Sequence, residues 1–345
     1  MKSLFCNWVC LILMGLTTGI QGQSARIVFY NVENLFDVMD DTLTNDEEFL
    51  PEGDKNWTYD RFREKTIKIY RTLVALGQGD MPAVIGLCEV ENRLVLNRLI
   101  YDTPLSLKDY RLIHRESHDA RGVDVALIYR ADLFFPITSE WLTIPLRSGE
   151  TTREILHVKG RIWDRDTLDI YINHWPSRYG GAGTSVQKRM AAAAILSESI
   201  VKVLKSNYNA NIIVMGDFND EPDDESMQSV NKILENSLQD SFCPLVNLSS
   251  LEKNIFGRGT IKHQGVWSVF DQILVSCALF SGDSGLRVSD QMAGIFMAEF
   301  LLEPDNAYSG MKPFRTYLGP GYHGGFSDHM PVFLDVEKTG TLKRK

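Results

Sequence analysis

The sequence of 345 residues predicts a fold of the α/β class. Short apolar runs rich in β-branched side chains, at 83–88 and 210–215, are typical of buried strands. Apolar side chains recur at helical spacing over 59–76 and 185–205, and each of these predicted helices leads into one of the strands. The length fits two average domains or one large unit, and we find no internal repeat or linker that divides the chain.

The N-terminal segment has the composition of a secretory signal peptide. A lysine precedes an apolar run at 8–16, and small residues follow as far as Gly22. The run is too short for a membrane span and no other stretch is long enough, so we expect no stable membrane insertion. Cleavage near Gly22 or Ser24 would give a secreted or periplasmic protein, which we expect to be a monomer. The predicted parts of the chain are a signal peptide at 1–22, one domain at 25–337 and a polar tail at 338–345.

The chain is acidic, with a formal net charge of −9. Removal of the signal peptide takes away one lysine and no acid, which leaves −10. Proteins that bind nucleic acid by neutralising its phosphates usually present a basic surface. The composition therefore argues against tight nonspecific coating of DNA, but it permits an enzyme that holds a divalent cation and releases its substrate quickly.

Three cysteines remain after the signal peptide, at Cys88, Cys243 and Cys277. An odd number in an oxidising compartment allows at most one disulfide. Cys88 and Cys277 lie in apolar strand runs, so we expect buried free thiols at these two positions. No Cys/His spacing typical of a metal site is present in the sequence.

Polar side chains follow the strands in the first half of the chain. A β-branched run at 25–30 ends in Asn31 and Glu33, and the next strand runs into Glu89. Because side chains alternate with period two, we expect Asn31 and Glu33 to share one face. Glu89 also lies close to a predicted helix at 92–100, where it could act only as an N-terminal charge.

The second half repeats this pattern. One strand places His174 at the end of an apolar face, and a glycine-rich segment with Arg178 follows. Such a loop can bring backbone N–H groups and a guanidinium to a phosphate. The strand at 210–215 runs into Asp217 and Asn219, which share a face if the chain stays extended. A satisfied core histidine and a turn that caps the following helix are the alternatives at these two strand ends.

Asp271 lies in the middle of a predicted strand at 267–275, on the face of its apolar neighbours. A charge on a buried face costs several kcal/mol unless it is paired. The sequence therefore predicts a basic or metal-bound partner for Asp271.

Two long stretches are predicted as loops. The acidic stretch at 37–54 lacks the glycine and glutamate positions of an EF-hand, and we predict a solvated loop. The Pro/Gly-rich stretch at 301–325 interrupts the core pattern, which resumes after Asp328 and His329. Because the pattern resumes, we interpret this stretch as a functional rim rather than a linker.

Taken together, the clusters at the strand ends resemble those of the endonuclease/exonuclease/phosphatase superfamily, which includes deoxyribonuclease I and exonuclease III. The resemblance covers nearly all of the chain after the signal peptide. It implies a single four-layer α/β sandwich, with two packed mixed sheets flanked by helices, and phosphoester hydrolysis dependent on Mg²⁺, with Mn²⁺ or Ca²⁺ as alternatives. The motifs are Asn-Val-Glu-Asn-Leu from Asn31, Glu-Val from Glu89, Asn-His-Trp from Asn173, Gly-Asp-Phe-Asn from Gly216, Asp-Gln-Ile-Leu from Asp271 and Ser-Asp-His-Met-Pro-Val from Ser327.

The resemblance implies a set of metal ligands. Glu89 would be the main carboxylate, Asn31 would assist, and Asp328 would be a second metal or substrate contact. Glu33 would also belong to the metal ligands, and it departs from the pattern of the family because many relatives have aspartate at this position. Hard oxygen ligands of this kind suit Mg²⁺, Mn²⁺ or Ca²⁺ rather than Zn²⁺.

The resemblance also implies catalytic roles. Asp217 would orient or deprotonate the attacking water, and Asn219 would hold a phosphate oxygen. His329 would bind the phosphoryl group, with Asp271 orienting its ring. His174 would stand near the leaving oxygen as a general acid. We consider Asp124 as an orienting partner of His174, and Arg178 as a substrate contact.

Three functions fit this resemblance. The segment from His174 to Ala192 is most similar to secreted bacterial endonucleases, which makes DNA or RNA the expected substrate. A phosphodiesterase or phosphatase acting on lipid or small phosphoesters, similar to a sphingomyelinase or an inositol-phosphate phosphatase, is the main alternative. An inactive binding scaffold is disfavoured because every expected polar position is filled.

Overall fold

The computed structural model describes residues 23–146, 150–163, 166–178, 182–239, 243–288 and 292–339. The predicted signal peptide lies outside these residues, as does most of the predicted tail.

The larger strands are β1 (Ser24–Leu35), β2 (Val84–Val90), β3 (Tyr110–His114), β4 (Asp124–Arg130), β5 (Phe134–Leu142), β6 (Ile155–Ile162), β7 (Asp166–His174), β8 (Ile212–Asp217), β12 (Asp271–Val275) and β19 (Val332–Lys338). Shorter strands are β9 (Val246–Asn247), β10 (Ile261–His263), β11 (Val266–Ser268), β13 (Leu286–Arg287), β14 (Ala293–Ile295), β15 (Leu302–Pro304), β16 (Met311–Pro313), β17 (Tyr317–Leu318) and β18 (Gly321–Tyr322). The α-helices are α1 (Tyr59–Gly77), α2 (Arg93–Tyr101), α3 (Ala182–Ser206), α4 (Glu225–Leu238), α5 (Ser249–Phe256) and α6 (Cys277–Ser281), and 3₁₀ turns form at Glu47–Phe49, Pro104–Leu107 and Glu299–Leu301.

Two mixed β-sheets pack face to face, and helices cover their outer faces. The first sheet has the order β13-β19-β1-β2-β4-β3, with β14 also paired to β19, and the second has the order β5-β6-β7-β8-β12-β9. One apolar cluster fills the space between the sheets. A second cluster joins α1 and α2 to the first sheet, and a third joins α3 and α4 to the second. The predicted four-layer α/β sandwich is confirmed.

Each sheet is built around one parallel pair of strands. β1 is parallel to β2, with α1 between them in the chain, and β7 is parallel to β8, with α3 between them. The carboxyl ends of two parallel strands lie at the same edge of a sheet. Asn31, Glu89, His174 and Asp217 lie at or near these four ends, which is why residues far apart in the sequence meet.

Gly86 of β2 allows the two sheets to approach closely. A Cβ atom at this position would lie 2.7 Å from Cδ1 of Ile172 and 3.0 Å from Cε of Met215, both on the second sheet. Both side chains are fully buried. Each buried side chain of this size contributes about 1.5–3 kcal/mol through the hydrophobic effect. The inter-sheet packing thus depends on the absence of a side chain at position 86.

The predicted helix at 92–100 is confirmed as α2. The Asn92 side chain caps it by accepting hydrogen bonds from the backbone N–H groups of Leu94 and Val95. Because Asn92 provides the cap, α2 does not depend on Glu89 at its N terminus. No helix among the described residues has both the length and the apolarity needed to cross a membrane.

The prediction of a fully solvated loop at 37–54 is wrong in part. Asp37 and Asp46 are buried. Oδ1 of Asp37 accepts from the backbone N–H of Met39 over 2.7 Å, and Oδ2 of Asp46 accepts from the N–H of Asp41. The carboxylates turn inward because they satisfy backbone donors that the loop would otherwise leave unpaired.

The cysteine prediction is right for Cys88 and wrong for Cys277. Cys88 is a fully buried free thiol. Cys277 is the first residue of α6 and forms a disulfide with Cys243, with 6.1 Å between their Cα atoms. Strand β12 ends at Val275. Cys277 therefore lies beyond the sheet, where its sulfur can pair with that of Cys243.

Candidate active site

Side chains from both sheets meet at the carboxyl ends of the parallel strands. Nδ2 of Asn31 donates to Oδ2 of Asp217 over 3.0 Å, which joins β1 to β8. Nε2 of His174 lies 3.8 Å from Oε1 of Glu89 and 3.9 Å from Oδ2 of Asp217. The structure therefore brings together the four strand-end residues that the sequence singles out.

The predicted partner of Asp271 is His329. Nδ1 of His329 lies 2.6 Å from Oδ2 of Asp271, and Nε2 on the other side of the ring lies 3.9 Å from Oδ2 of Asp217. Asp271 does not lie in mid-strand as predicted, because β11 ends at Ser268 and β12 begins with Asp271 itself. In this register Asp271 faces Asp217 across the β12–β8 ladder.

The charges of this group are set by burial and by one another. Burial lowers the pKa of His329, but Asp271 and Asp217 more than offset this and hold it well above its usual range. His329 is therefore an imidazolium between two carboxylates. Burial raises the pKa of Asp217 to about 7, against the opposing effect of His329. A carboxylate with a pKa near neutrality is suited to accept a proton from water.

His174 is in a different electrostatic state. Burial lowers its pKa well below the usual range, and the charges of Arg153 and Arg121 act in the same direction. Its imidazole is thus neutral and must first take up a proton before it can act as a general acid. Among the described residues, its Nδ1 is buried without a hydrogen-bond partner.

The strand exits leave the extended conformation. Glu33, Glu89 and Asn219 have positive φ angles of 51°, 60° and 51°. The N–H of Asn219 donates to Oδ1 of Asp217 over 2.9 Å, which closes a turn immediately after β8. The period-two argument that placed Asn31 with Glu33, and Asp217 with Asn219, on common faces is therefore wrong, because the backbone turns at each exit.

The predicted metal ligands fit a hard divalent ion in their chemistry. Oε2 of Glu89 accepts the N–H of Asn34 over 3.0 Å, while Oε1 points toward the cluster. Asn31 and Asp328 add further amide and carboxylate oxygens, and Ser327 Oγ ties the two segments together through a hydrogen bond to the carbonyl of Asn31. Oxygen donors of this type are those that Mg²⁺ prefers.

Protein groups engage the carboxylate of Glu33, and its predicted contact with a metal stays a prediction. Its Oε2 accepts the N–H of Thr316 over 2.7 Å, and Lys65 Nζ lies 3.9 Å away. Nε of Arg315 lies 3.6 Å from its Oε1, and Arg315 also donates to Asp328 over 2.8 Å. Glu33 thus anchors the stretch predicted as a functional rim, and its longer side chain compared with aspartate allows this reach.

Asp124 does not orient His174. Its Oδ2 lies 3.0 Å from Nε2 of His114, and its Oδ1 accepts the N–H of Ser117. Both carboxylate oxygens are engaged within the β3–β4 hairpin. The predicted role is wrong because the carboxylate of Asp124 pairs with His114 and Ser117 instead.

Arg178 and Asn219 lie side by side at the edge of the site. Arg178 Nε donates to the carbonyl of Asn219 over 2.8 Å, and its guanidinium pairs with Asp220 and Asp224. Nδ2 of Asn219 donates to the carbonyl of Trp175 over 3.0 Å. Arg178 is therefore held by acidic partners, and its predicted contact with substrate stays a prediction. The glycine-rich residues 179–181 lie outside the described residues.

Sequence reasoning did not identify Lys65 and Arg315. Lys65 is 1% exposed and donates to Thr316 Oγ1 and the carbonyl of Phe326. It lies on the apolar stripe of α1 between Phe62 and Ile69. A lysine on such a stripe is the sequence signal that could have identified it. Arg315 carried no comparable signal, because its rim has no periodic pattern.

The model of a protein family described as "Endonuclease/Exonuclease/phosphatase family" matches residues 26–338. No curated protein shows a significant sequence match.

Solved structures with the same fold include three of named function. The human Nocturnin catalytic domain with bound sulfate is 17% identical, with 92% of this chain and 95% of that chain covered and a TM-score of 0.54. TDP2 of D. rerio, complexed with a single-strand DNA product, is 16% identical, with 91% and 99% covered and a TM-score of 0.55. A mannosyl-6-phosphatase of Bacteroides thetaiotaomicron is 16% identical, with 92% and 100% covered and a TM-score of 0.53. At these identities the likeness shows the fold alone.

Proposed function

Because the chain belongs to the endonuclease/exonuclease/phosphatase family, we propose that it is a metal-dependent endonuclease that hydrolyses phosphodiester bonds of DNA or RNA. The observation that carries this proposal is the buried Asp271–His329–Asp217 arrangement. It places an imidazolium with a fixed orientation beside a carboxylate whose pKa lies near 7. Such a pair can activate water and stabilise negative charge at one phosphorus atom.

In the proposed reaction, water attacks phosphorus in line with the departing oxygen. Asp217 accepts a proton from the water, while His329 donates a hydrogen bond to a phosphoryl oxygen and stabilises its developing charge. Asp271 holds the His329 ring through Nδ1, which leaves Nε2 directed into the site. Asn219 lies next to Asp217 and holds a second phosphate oxygen. His174, once it has taken up a proton from solvent, donates it to the departing oxygen, which leaves as a hydroxyl group.

Glu89 and Asn31, with Asp328 nearby, would hold the metal ion, for which Mg²⁺ is our first choice and Mn²⁺ or Ca²⁺ the alternatives. Such an ion supplies Lewis-acid stabilisation of phosphoryl charge when it is bound.

We further propose that the protein is secreted or periplasmic. The composition of residues 1–22 supports this location. The Cys243–Cys277 disulfide also supports it, since disulfides persist mainly in oxidising compartments.

Hydrolysis of lipid or small phosphoesters is the alternative, and the acidic charge of the chain permits it. The names of the structural neighbours include both a complex with DNA and a sugar phosphatase, so they do not select a substrate. A zymogram on plasmid DNA with Mg²⁺, beside assays on a choline phospholipid and a p-nitrophenyl phosphodiester, separates the two. Nicking of plasmid DNA is expected. Uncut DNA with hydrolysed phospholipid would overturn the endonuclease proposal in favour of the alternative.

A further inference from the structure

A buried thiol lies directly beneath the proposed catalytic residues, and the proposed reaction does not use it. Donor atoms of Cys88, His174 and Asp217 all lie within 4.8 Å of one another, and each of the three residues is at most 3% exposed. We propose that these three residues, here named the thiol site, form a second metal site that takes Zn²⁺ or a similar borderline-soft divalent ion and thereby inhibits the enzyme.

The close packing of the sheets explains why these three side chains meet. Gly86, Ile172 and Met215 form a tight layer between β2, β7 and β8. Side chains that share a face of a strand are two residues apart. The next layer toward the strand ends therefore consists of Cys88, His174 and Asp217. Because there is no side chain at position 86, the thiol of Cys88 comes within reach of the second sheet.

The donor set of the thiol site differs in kind from that around Glu89. It offers one sulfur, one imidazole nitrogen and one carboxylate oxygen, a combination that suits Zn²⁺ and not Mg²⁺. Zinc sites with three protein ligands keep a fourth position for water, and their ligand atoms lie roughly 3.5 Å apart. The three donor atoms lie within 4.8 Å of one another, so a contraction of at most about 1.3 Å brings them to this spacing.

Two further observations support metal binding at the thiol site. Nδ1 of His174 is buried without a hydrogen-bond partner among the described residues, so this ring nitrogen is left unsatisfied by them. Asp217 accepts hydrogen bonds from Asn31 Nδ2 and from the N–H of Asn219, which fix its carboxylate as outer-shell partners do in metal sites.

The proton balance of binding is defined. The ion replaces the thiol proton of Cys88 and any proton held by the Asp217 carboxyl, and these protons leave to solvent, while His174 contributes a lone pair without losing a proton. One thiolate and one carboxylate then neutralise the two positive charges of the ion, so the buried site carries no net charge. Because binding releases protons, it strengthens as the pH rises. Asp217 and His174 are no longer free for water activation or leaving-group contact, so turnover stops.

Co²⁺ is the direct probe, because a cobalt–thiolate bond gives a charge-transfer absorption in the near ultraviolet. The titration uses the full chain with Cys6 and Cys10 changed to serine and Mg²⁺ in excess. We expect this absorption to saturate at one equivalent of Co²⁺, to decrease when Zn²⁺ displaces Co²⁺, and to disappear in Cys88→Ala.

His157→Gln is the matched control, since this buried histidine pairs with Asp169 away from the site, and it should retain the absorption. No absorption in the parent protein, or equal absorption in Cys88→Ala, would overturn the site. Cys88→Val serves if the alanine variant does not fold.

The inhibitory part of the inference rests on the proposed function, whereas the binding part does not. With Mg²⁺ in excess, the Zn²⁺ concentration that halves phosphodiesterase activity should rise at least about tenfold in Cys88→Ala. Loss of an outer-shell partner alone lowers the affinity of a metal site by about tenfold or more, and Cys88 is proposed as a direct ligand. Equal sensitivity of both proteins would show that zinc inhibits elsewhere. An inactive parent protein that still gives the cobalt–thiolate absorption would refute the proposed function and leave the binding site standing.

Discussion

At the scale of single residues, the site depends on neighbours that shift the protonation of its acids and bases. Asp217 and His329 are both buried, yet the net shifts give one a pKa near 7 and the other a stable positive charge. Each effect has a named cause, namely burial for the carboxyl and the flanking carboxylates for the imidazole. The pair is therefore prepared for proton transfer before substrate arrives.

The pH dependence of turnover tests these protonation states. Asp217 must lose its proton to act as a base, so kcat/KM should rise with pH through about 7. His329 must keep its proton, so activity should fall only at higher pH. Asp271→Asn removes a charge that raises the pKa of His329, and the alkaline limb should therefore move to lower pH. The measurement is kcat/KM from about pH 5 to about pH 9.

Asp169→Asn is the matched control for this profile, because Asp169 pairs with His157 outside the site. It should reproduce the wild-type limbs. A wild-type profile without an acid limb, or an alkaline limb that Asp271→Asn leaves in place, would contradict these assignments.

At the scale of elements, the acidic stretch after β1 is held by a buried carboxyl. Burial raises the pKa of Glu91 from 4.5 to about 8. The folded protein therefore binds more protons than the unfolded chain between about pH 4.5 and pH 8, and stability falls as the pH rises through this window.

Glu91→Gln should remove this loss of stability. The amide keeps an oxygen acceptor for the N–H of Asp37 but carries no charge to bury. We expect the variant to gain more than about 1 kcal/mol relative to wild type between the two ends of the window, as one pKa unit already corresponds to about 1.4 kcal/mol. Denaturant unfolding at several pH values measures it. Glu48→Gln, at an exposed acid in the same stretch, should keep the wild-type slope. An unchanged slope in Glu91→Gln would contradict the prediction.

The disulfide ties α6 to the segment after α4. Cys243 and Cys277 are 34 positions apart, for which the loss of unfolded-chain entropy corresponds to about 3–4 kcal/mol. Reduction should therefore lower the denaturant midpoint of wild type and leave that of the double variant Cys243→Ala/Cys277→Ala unchanged. A midpoint of wild type that does not respond to reductant would show that the bond contributes nothing.

At the scale of the whole molecule, the topology determines which polar residues become a site. The sequence predicts the strand-end residues Asn31, Glu89, His174 and Asp217 because each follows an apolar run, and two parallel pairs bring their ends together. The sequence also predicts a partner for Asp271, since a buried charge must be paired, and this partner is His329. By contrast, the four layers of the fold are predicted only by the resemblance of the motifs as a set to those of a known family.

Other features could not be read from the sequence, for physical reasons. Positive φ angles at Glu33 and Glu89 are set by tertiary contacts, so strand alternation misplaced Glu33. The partner of Asp124 depends on a hairpin register, and the disulfide depends on where β12 ends. Arg178 pairs with acids only a few positions beyond Asn219, but nothing local distinguishes such a pair from a phosphate contact.

The most direct test of the central claim is hydrolysis of a p-nitrophenyl phosphodiester by the purified protein and its variants with Mg²⁺. Wild type should turn over and stop when the metal is chelated, and Asp217→Ala and His329→Ala should each lose at least about 100-fold in kcat with the fold intact by circular dichroism. Asp169→Asn should retain wild-type turnover. Full activity in either folded alanine variant, or turnover that chelation does not affect, would contradict the account.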